Sequence, residues 1–261
     1  MRSARPVERD VLKFLGTGGA RFVLIRQLRG SGGMFLRLAG LKLALDPGPG
    51  ALVRMWRSKP PIDPTELDAV ILTHRHLDHS GDANVVVEAM TGGGNRRRGT
   101  LILTRDSLGE EPVVFSQIRR NVERMELWEE GASVELGPLR LKPFSLIHHG
   151  VECFGFNVET AEGRRKLSVI SDTAMFDDLP GKVDGAENLV LNLTLYERMA
   201  VDHLCLEDAA ELLRAARPGR AIVTHFGMGI LRRGPEVVAR ELEERGGVPV
   251  IPARDGMELE L

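Results

Sequence analysis

The chain has 261 residues, 43% of them hydrophobic, enough for a full core and for one large domain over residues 1–261, with residues 1–10 read as an N-terminal tail. Its 35 basic and 37 acidic residues leave a formal charge of -2, which excludes a global basic field drawing the protein to nucleic acid. Two distant cysteines without Cys-x-x-Cys spacing exclude a disulfide framework and a thiolate zinc site, and no run nears the roughly 20 apolar residues of a membrane helix. The charged segment Met1 to Asp10 lacks the apolar core of a secretion signal. A soluble, unprocessed, cytoplasmic protein is the expectation.

Short apolar runs between Gly-rich turns predict strands at Val11 to Leu15, Phe22 to Leu28, Met34 to Leu38 and Leu41 to Leu45. Gly16 to Gly19, Gly30 to Gly33 and Ala39-Gly40 punctuate them. A helix at Ala51 to Arg57 precedes the strand Ala69 to Thr73, which ends where a group of histidines begins. Helices at Asp82 to Met90 and Glu111 to Glu123 flank a strand at Thr100 to Thr104, and Ser133 to Phe144 reads as a run of β. The segment Thr91 to Gly99 reads as a mobile surface loop. Cys153 to Glu159 and Lys166 to Ile170 form a hairpin around Ala161-Glu162-Gly163. The last third reads as βαβαβ, with strands Leu189 to Leu193, Ala221 to Thr224 and Val248 to Ile251 and helices Leu206 to Ala216 and Pro235 to Arg245. A mainly β half followed by an α/β half predicts two sheets packed face to face with helices outside.

The segment Thr73-His74-Arg75-His76-Leu77-Asp78-His79 gathers three imidazoles and a carboxylate directly after a buried strand. These are ligands that zinc, manganese and iron accept, whereas a lone histidine would read as an ordinary core or surface residue. The other histidines are His148, His149, His203 and His225. His148 and His149 end one strand, Asp172 follows Leu167 to Ile170, and His225 follows Ala221 to Thr224. Polar residues at the carboxyl ends of apolar runs share one rim in α/β folds, where such proteins gather their sites.

The order HRHLDH, then His149 ahead of Glu-Cys-Phe-Gly-Phe, then Ser-Asp172-Thr, then Thr-His225-Phe resembles the metallo-β-lactamase superfamily over nearly the whole chain, from Leu12 onward. The implied fold class is α/β (α+β), a four-layer αββα sandwich. The opening Gly16-Thr17-Gly18-Gly19 resembles the superfamily's Leu-Gly-Thr-Gly turn near the metals and lacks the remaining residues of a nucleotide loop. Leu45-Asp46-Pro47-Gly48 resembles its early Asp motif, which supports the ligands from behind.

The resemblance implies two divalent ions, zinc foremost, with manganese or iron served by the same ligands. By that correspondence His74, His76 and His149 bind one ion, Asp78, His79 and His225 the other, and Asp172 bridges. A hydroxide between the ions is the implied nucleophile, with Asp78 counted among the catalytic residues. The family's spacing to Glu-Cys-aromatic-Gly-aromatic favours His149, with His148 as the alternative.

Asp202-His203-Leu204 ahead of the helix Leu206 to Ala216 is similar to ribonuclease Z and related phosphodiesterases, which makes His203 the candidate phosphate contact and general acid. The bland alternative is an exposed neighbour of a helix N-cap. Only a short hairpin lies between His149 and Asp172, too little for the arm of tRNA-processing enzymes. No large domain lies between Asp172 and His225, which argues against the β-CASP nucleases.

The expected activity is therefore a dinuclear phosphodiesterase acting on a cyclic or short nucleotide or an RNA end. A lactone, thioester or β-lactam hydrolase of the same fold is the alternative, and a non-catalytic binding module the other. The partners expected are a small or short phosphodiester, nucleic acid locally, no membrane, and a second copy in a homodimer by family resemblance. Arg96-Arg97-Arg98 reads either as a small anion site or as a solvated run. Cys153 and Cys205 read as packing residues.

Overall fold

The computed structural model describes residues 9–31 and 33–261, so the expected tail lies outside the described residues up to position 8, as does Gly32 of the expected turn. In chain order the elements of the first half are β1 (Val11–Phe14), α1 (Ala20–Arg26), β2 (Met34–Leu38), β3 (Leu41–Leu45), α2 (Ala51–Arg57), β4 (Ala69–Ile71), α3 (Leu77–Ser80), α4 (Ala83–Met90), β5 (Thr100–Leu103), α5 (Ser116–Arg119) and β6 (Arg124–Leu127). The second half runs β7 (Val134–Leu136), β8 (Leu139–His148), β9 (Val151–Glu159), β10 (Arg165–Ile170), α6 (Leu179–Lys182), β11 (Asn188–Asn192), α7 (Leu206–Ala216), β12 (Arg220–Thr224), α8 (Met228–Arg233), α9 (Pro235–Gly246), β13 (Val250–Pro252) and β14 (Glu258–Glu260).

Two seven-stranded sheets result, in the orders β14-β1-β2-β3-β4-β5-β6 and β13-β12-β11-β10-β9-β8-β7. Side chains alternate across a strand, so a strand apolar at every position packs on both faces. In β4, Ala69 and Ile71 enter the core between the sheets, while Val70 joins α2 and α4 on the outside. In β11, Val190 faces the other sheet, and Leu189 and Leu191 face α7 and α9. The layers are therefore α, β, β, α. Among the described residues no helix is long and apolar enough to cross a membrane.

Several expectations need correction. Phe22 to Leu28 is no strand. Its residues form α1, and the places on either side of β1 are taken by β2 and β14. Only Val23 of that helix is buried. The helix expected over Glu111 to Glu123 shrinks to the single turn α5, since Asn84 pins the preceding chain by accepting from Phe115 N at 2.8 Å and donating to Val113 O at 2.9 Å. Five elements escape the sequence reading: the edge strands β6 and β14, which are polar enough to hide their alternation, and the short helices α3, α6 and α8.

The parallel strands β3, β4, β10, β11 and β12 send their carboxyl ends to one rim. Asp46, Thr73, Asp172, Thr194 and His225 follow those ends within a few residues.

Candidate metal centre

His74 and His79 are buried after β4 and on α3, His225 is buried after β12, and Asp172 is buried after β10. Three groups emerge within which the ligand atoms lie within 4.8 Å of one another: His74, His76 and His148; Asp78, His79, Asp172 and His225; and His148, His149 and His203. His148 Nε2 faces His76 Nδ1 at 3.0 Å, and His79 Nε2 faces His225 Nε2 at 3.0 Å. Asp172 spans the groups, with Oδ2 3.3 Å from His79 Nε2 and 3.7 Å from His148 Nε2.

The residue that joins His74 and His76 is thus His148, in place of the expected His149. Strand β8 alternates buried and exposed positions toward its end, so Leu146 and His148 point inward and Ile147 outward. The chain then turns at His149-Gly150, both at positive φ (45° and 71°), in the two-residue hairpin between β8 and β9. Turning there puts His149 on the lip, its side chain 38% exposed against 1% for His148.

A ligating imidazole needs its second nitrogen held, and four of these rings have that support. Thr73 Oγ1 lies 3.1 Å from His74 Nδ1, Asp46 Oδ2 3.0 Å from His79 Nδ1, the Asp202 carbonyl 2.9 Å from His148 Nδ1, and Thr194 Oγ1 3.0 Å from His225 Nδ1. Asp46 also accepts from Thr73 N and Thr73 Oγ1, both at 2.7 Å, which fits the supporting role expected of it. Asn192 Nδ2 donates to Asp172 Oδ1 at 2.9 Å and fixes the spanning carboxylate. Asp202, Thr194 and Asn192 went unnoticed in the sequence, because isolated Asp, Thr and Asn residues carry no pattern there.

The electrostatics suit a cation. Burial, aided by His79, pushes the His74 imidazole well below its ordinary pKa, and its Nε2 is buried without a partner. Burial likewise lowers His76 and takes His148 down to about 4, so both offer lone pairs at neutral pH. For Asp172 burial favours the neutral acid, yet His225 and His79 outweigh it and hold the carboxyl well below the usual range. Asp78 follows the same pattern, burial being overcome by His79 and His225. Burial opposes a proton on His79, but Asp172, Asp78 and Asp46 raise its pKa well above the ordinary value. Among the described residues no lysine or arginine pairs with Asp46, Asp78 or Asp172. Three largely buried carboxylates with imidazoles as their only cationic partners call for positive charge from outside, and neutral imidazoles with an orphaned Nε2 are the donors a divalent ion takes.

His203 sits over this group in the loop before α7. Its ring centroid is 5.0 Å from that of His148 and 5.3 Å from that of His149, and its Nδ1 lies 3.9 Å from Asp172 Oδ2, buried without a hydrogen-bond partner. The N-cap of α7 is Cys205, so His203 does not cap that helix.

The expected turn at Gly16 to Gly19 does lie at the site. Gly19 N donates to Phe226 O at 3.1 Å, and a Cβ at Gly19 would fall 2.1 Å from His225 Nδ1. Because Thr194 and Asp172 hold that ring, Gly19→Ala is expected to displace it and weaken zinc affinity by about 10–100-fold, the range for supporting contacts. Competition with a chelating dye reads this directly, and unchanged affinity would contradict it.

The Arg96-Arg98 triplet is elsewhere. Arg97 Nε donates to Val122 O at 3.2 Å and Arg98 to the carbonyls of Thr65 and Leu67 at 2.9 Å, so two of the three guanidiniums bind backbone. Cys153 is buried and donates to Asp172 O at 3.3 Å; burial raises its pKa well above the ordinary thiol value. Both it and Cys205 are free and buried, as packing residues are.

The model of the beta-lactamase superfamily domain matches residues 42–226. The uncharacterized protein MJ1374 of Methanocaldococcus jannaschii is 31% identical over 255 residues, covering 95% of this chain and 94% of that one. Ribonuclease Z of Methanopyrus kandleri is 26% identical over 283 residues, covering 95% and 96%. The metallo-beta-lactamase fold protein YhfI from Bacillus subtilis superposes with a TM-score of 0.77 at 19% identity, over 97% of this chain and 100% of that one.

Proposed function

Because the chain belongs to the beta-lactamase superfamily and has the fold of its metal-dependent hydrolases, we propose that it is a dinuclear metal-dependent phosphodiesterase. His74, His76 and His148 would hold one ion and Asp78, His79 and His225 the other, with Asp172 between them. Two divalent ions so held, zinc foremost, supply an activated water and Lewis acidity toward a phosphoryl oxygen.

The observation that carries the choice of bond is His203. Its Nδ1 is buried, unpartnered and next to Asp172, so a substrate oxygen arriving over the carboxylate completes its hydrogen bonding. Burial lowers its pKa, and an anionic phosphodiester beside it would raise that value again and favour the imidazolium. The ring would then hand its proton to the leaving oxygen. The likeness to a ribonuclease Z across nearly the whole chain supports the same chemistry. A short phosphodiester, such as a cyclic or short nucleotide or an RNA end, is the substrate in this reading, and the cytoplasm its compartment.

Bis(p-nitrophenyl) phosphate tests it. On a dinucleoside phosphate, whose leaving alkoxide needs the proton, His203→Ala is expected to keep both ions and lose about 10²–10⁴-fold in kcat, the span of general-acid catalysis, and to lose less on the p-nitrophenyl ester, whose leaving group departs as the anion. Loss of metal in that variant would refute the acid role. Activity on a lactone or thioester without phosphodiester turnover would transfer the reading to that bond.

A further inference from the structure

A cavity of about 1440 Å³ opens in front of His76, Asp78, His148 and Asp172. That exceeds the few hundred to roughly 1,000 Å³ that seats an ordinary small ligand. One wall is apolar. Helix α1 buries only Val23 and leaves Phe22 and Ile25 in the cavity at 64% and 67% exposure, and Leu77, Met199 and Val201 line it as exposed apolar side chains too. Exposed apolar residues scattered singly need no explanation, but five on one concavity beside a reaction centre do.

The wall is held in place from both ends. Asp255 accepts from Thr17 N at 2.9 Å, Thr17 Oγ1 at 2.7 Å and Gly30 N at 2.6 Å, and Gly18 N donates to Gly30 O at 2.9 Å. The loop that carries α1 is thereby closed at its neck, and its far side bears on His225 through Gly19.

The remaining lining is cationic. Arg21, Arg232 and Arg233 face the cavity, and apart from the metal-ligand carboxylates Glu197 is the one acidic residue of the lining. Arg233 lies over the Tyr196 ring at 4.4 Å, while Arg21 and Arg232 have no carboxylate within ion-pair distance among the described residues. Apolar side chains and guanidiniums lining one cavity suit a ligand that is anionic at the reacting group and apolar beyond it.

We propose that the substrate is a phosphodiester with one bulky apolar ester arm, seated on Phe22, Ile25, Leu77 and Met199. This rests on the phosphodiesterase reading and adds the arm. Methyl p-nitrophenyl phosphate and hexyl p-nitrophenyl phosphate share a leaving group and differ only in that arm. On zinc-reconstituted protein the hexyl ester is expected to have a kcat/KM at least about tenfold higher, a fraction of what five buried methylenes can give. In the double variant Phe22→Ser, Ile25→Ser, both at exposed positions, the hexyl-to-methyl ratio is expected to fall toward one. Equal rates for the two esters in the wild type, or an unchanged ratio in the variant, would overturn the proposal. So would concentration-dependent dimerisation abolished by the same variant, with equal rates, since the wall would then seat a second copy of the chain. Failure of the phosphodiesterase reading looks different: no p-nitrophenol from either ester despite bound metal. In that event calorimetry with hexylphosphonate and methylphosphonate decides, tighter binding of the hexyl compound upholding the arm site and equal binding overturning it.

Discussion

Asp172→Ala is expected to leave less than one zinc per chain where the wild type holds about two, and to lower kcat/KM on bis(p-nitrophenyl) phosphate at least about 10³-fold, or ~4 kcal/mol of transition-state stabilisation. The size follows from position. Asp172 lies within 4 Å of nitrogens on His79, His148, His203 and His225, so its one carboxylate reaches both ligand groups and the candidate acid. Asn192 holds one of its oxygens and leaves the other toward the histidines. Its removal also strips the site of one of the negative charges that would offset the bound ions. Plasma mass spectrometry of dialysed protein and the rate of p-nitrophenol release check the two halves separately. Full metal occupancy in the variant would show that Asp172 does not hold the ions.

The second large effect separates adjacent histidines. His148→Ala is expected to lose the first ion and to cut turnover by about 10² or more, because it removes one of three ligands whose Nδ1 side is already tied to the Asp202 carbonyl. His149→Asn is expected to keep both ions. Asn tolerates the left-handed backbone at φ 45° and makes the Asn-Gly pair that such a hairpin favours. What it gives up is a half-exposed contact with Asp202 at 3.7 Å, and exposed ion pairs contribute about 0–1 kcal/mol. Metal analysis of the pair decides the assignment. If His149→Asn lost an ion and His148→Ala kept two, the correction would be reversed.

Those two histidines also mark where sequence reading reaches its limit. The run His74 to His79 is legible because the residues that meet in space are neighbours in the chain, and the carboxyl ends of apolar runs point to the rim where Asp172 and His225 lie close together. Between His148 and His149 only the parity of a strand decides. Only the last stretch of β8 carried that signal: Phe144 and Leu146 are buried with Ser145 outside, and two positions on from Leu146 His148 points inward, whereas Leu139 and Leu141 have the opposite parity because the pattern shifts at Pro143-Phe144, both buried. Spacing to a family pattern pointed one residue further, to His149, which opens the two-residue turn with Gly150.

Helix α1 failed for a different reason. An apolar run rich in Val, Ile and Phe reads as a strand when it is taken to be buried, yet Phe22 and Ile25 are exposed to a cavity and nothing in local sequence announces an outward apolar face. The ring of supporting groups, Asp202, Thr194 and Asn192, was invisible because each sits in a loop or at a strand end and acts only on a residue brought to it by the fold. Asp46 was the exception, found through the motif around it.

In the proposed reading this rim holds two divalent ions for hydrolysis of a phosphodiester. That reading is tested most directly by metal content from plasma mass spectrometry, together with bis(p-nitrophenyl) phosphate turnover, after reconstitution with zinc or manganese. About two ions per chain with turnover that depends on them is the predicted result; a protein that retains no metal after reconstitution, or that holds its ions and leaves the phosphodiester intact, would contradict it.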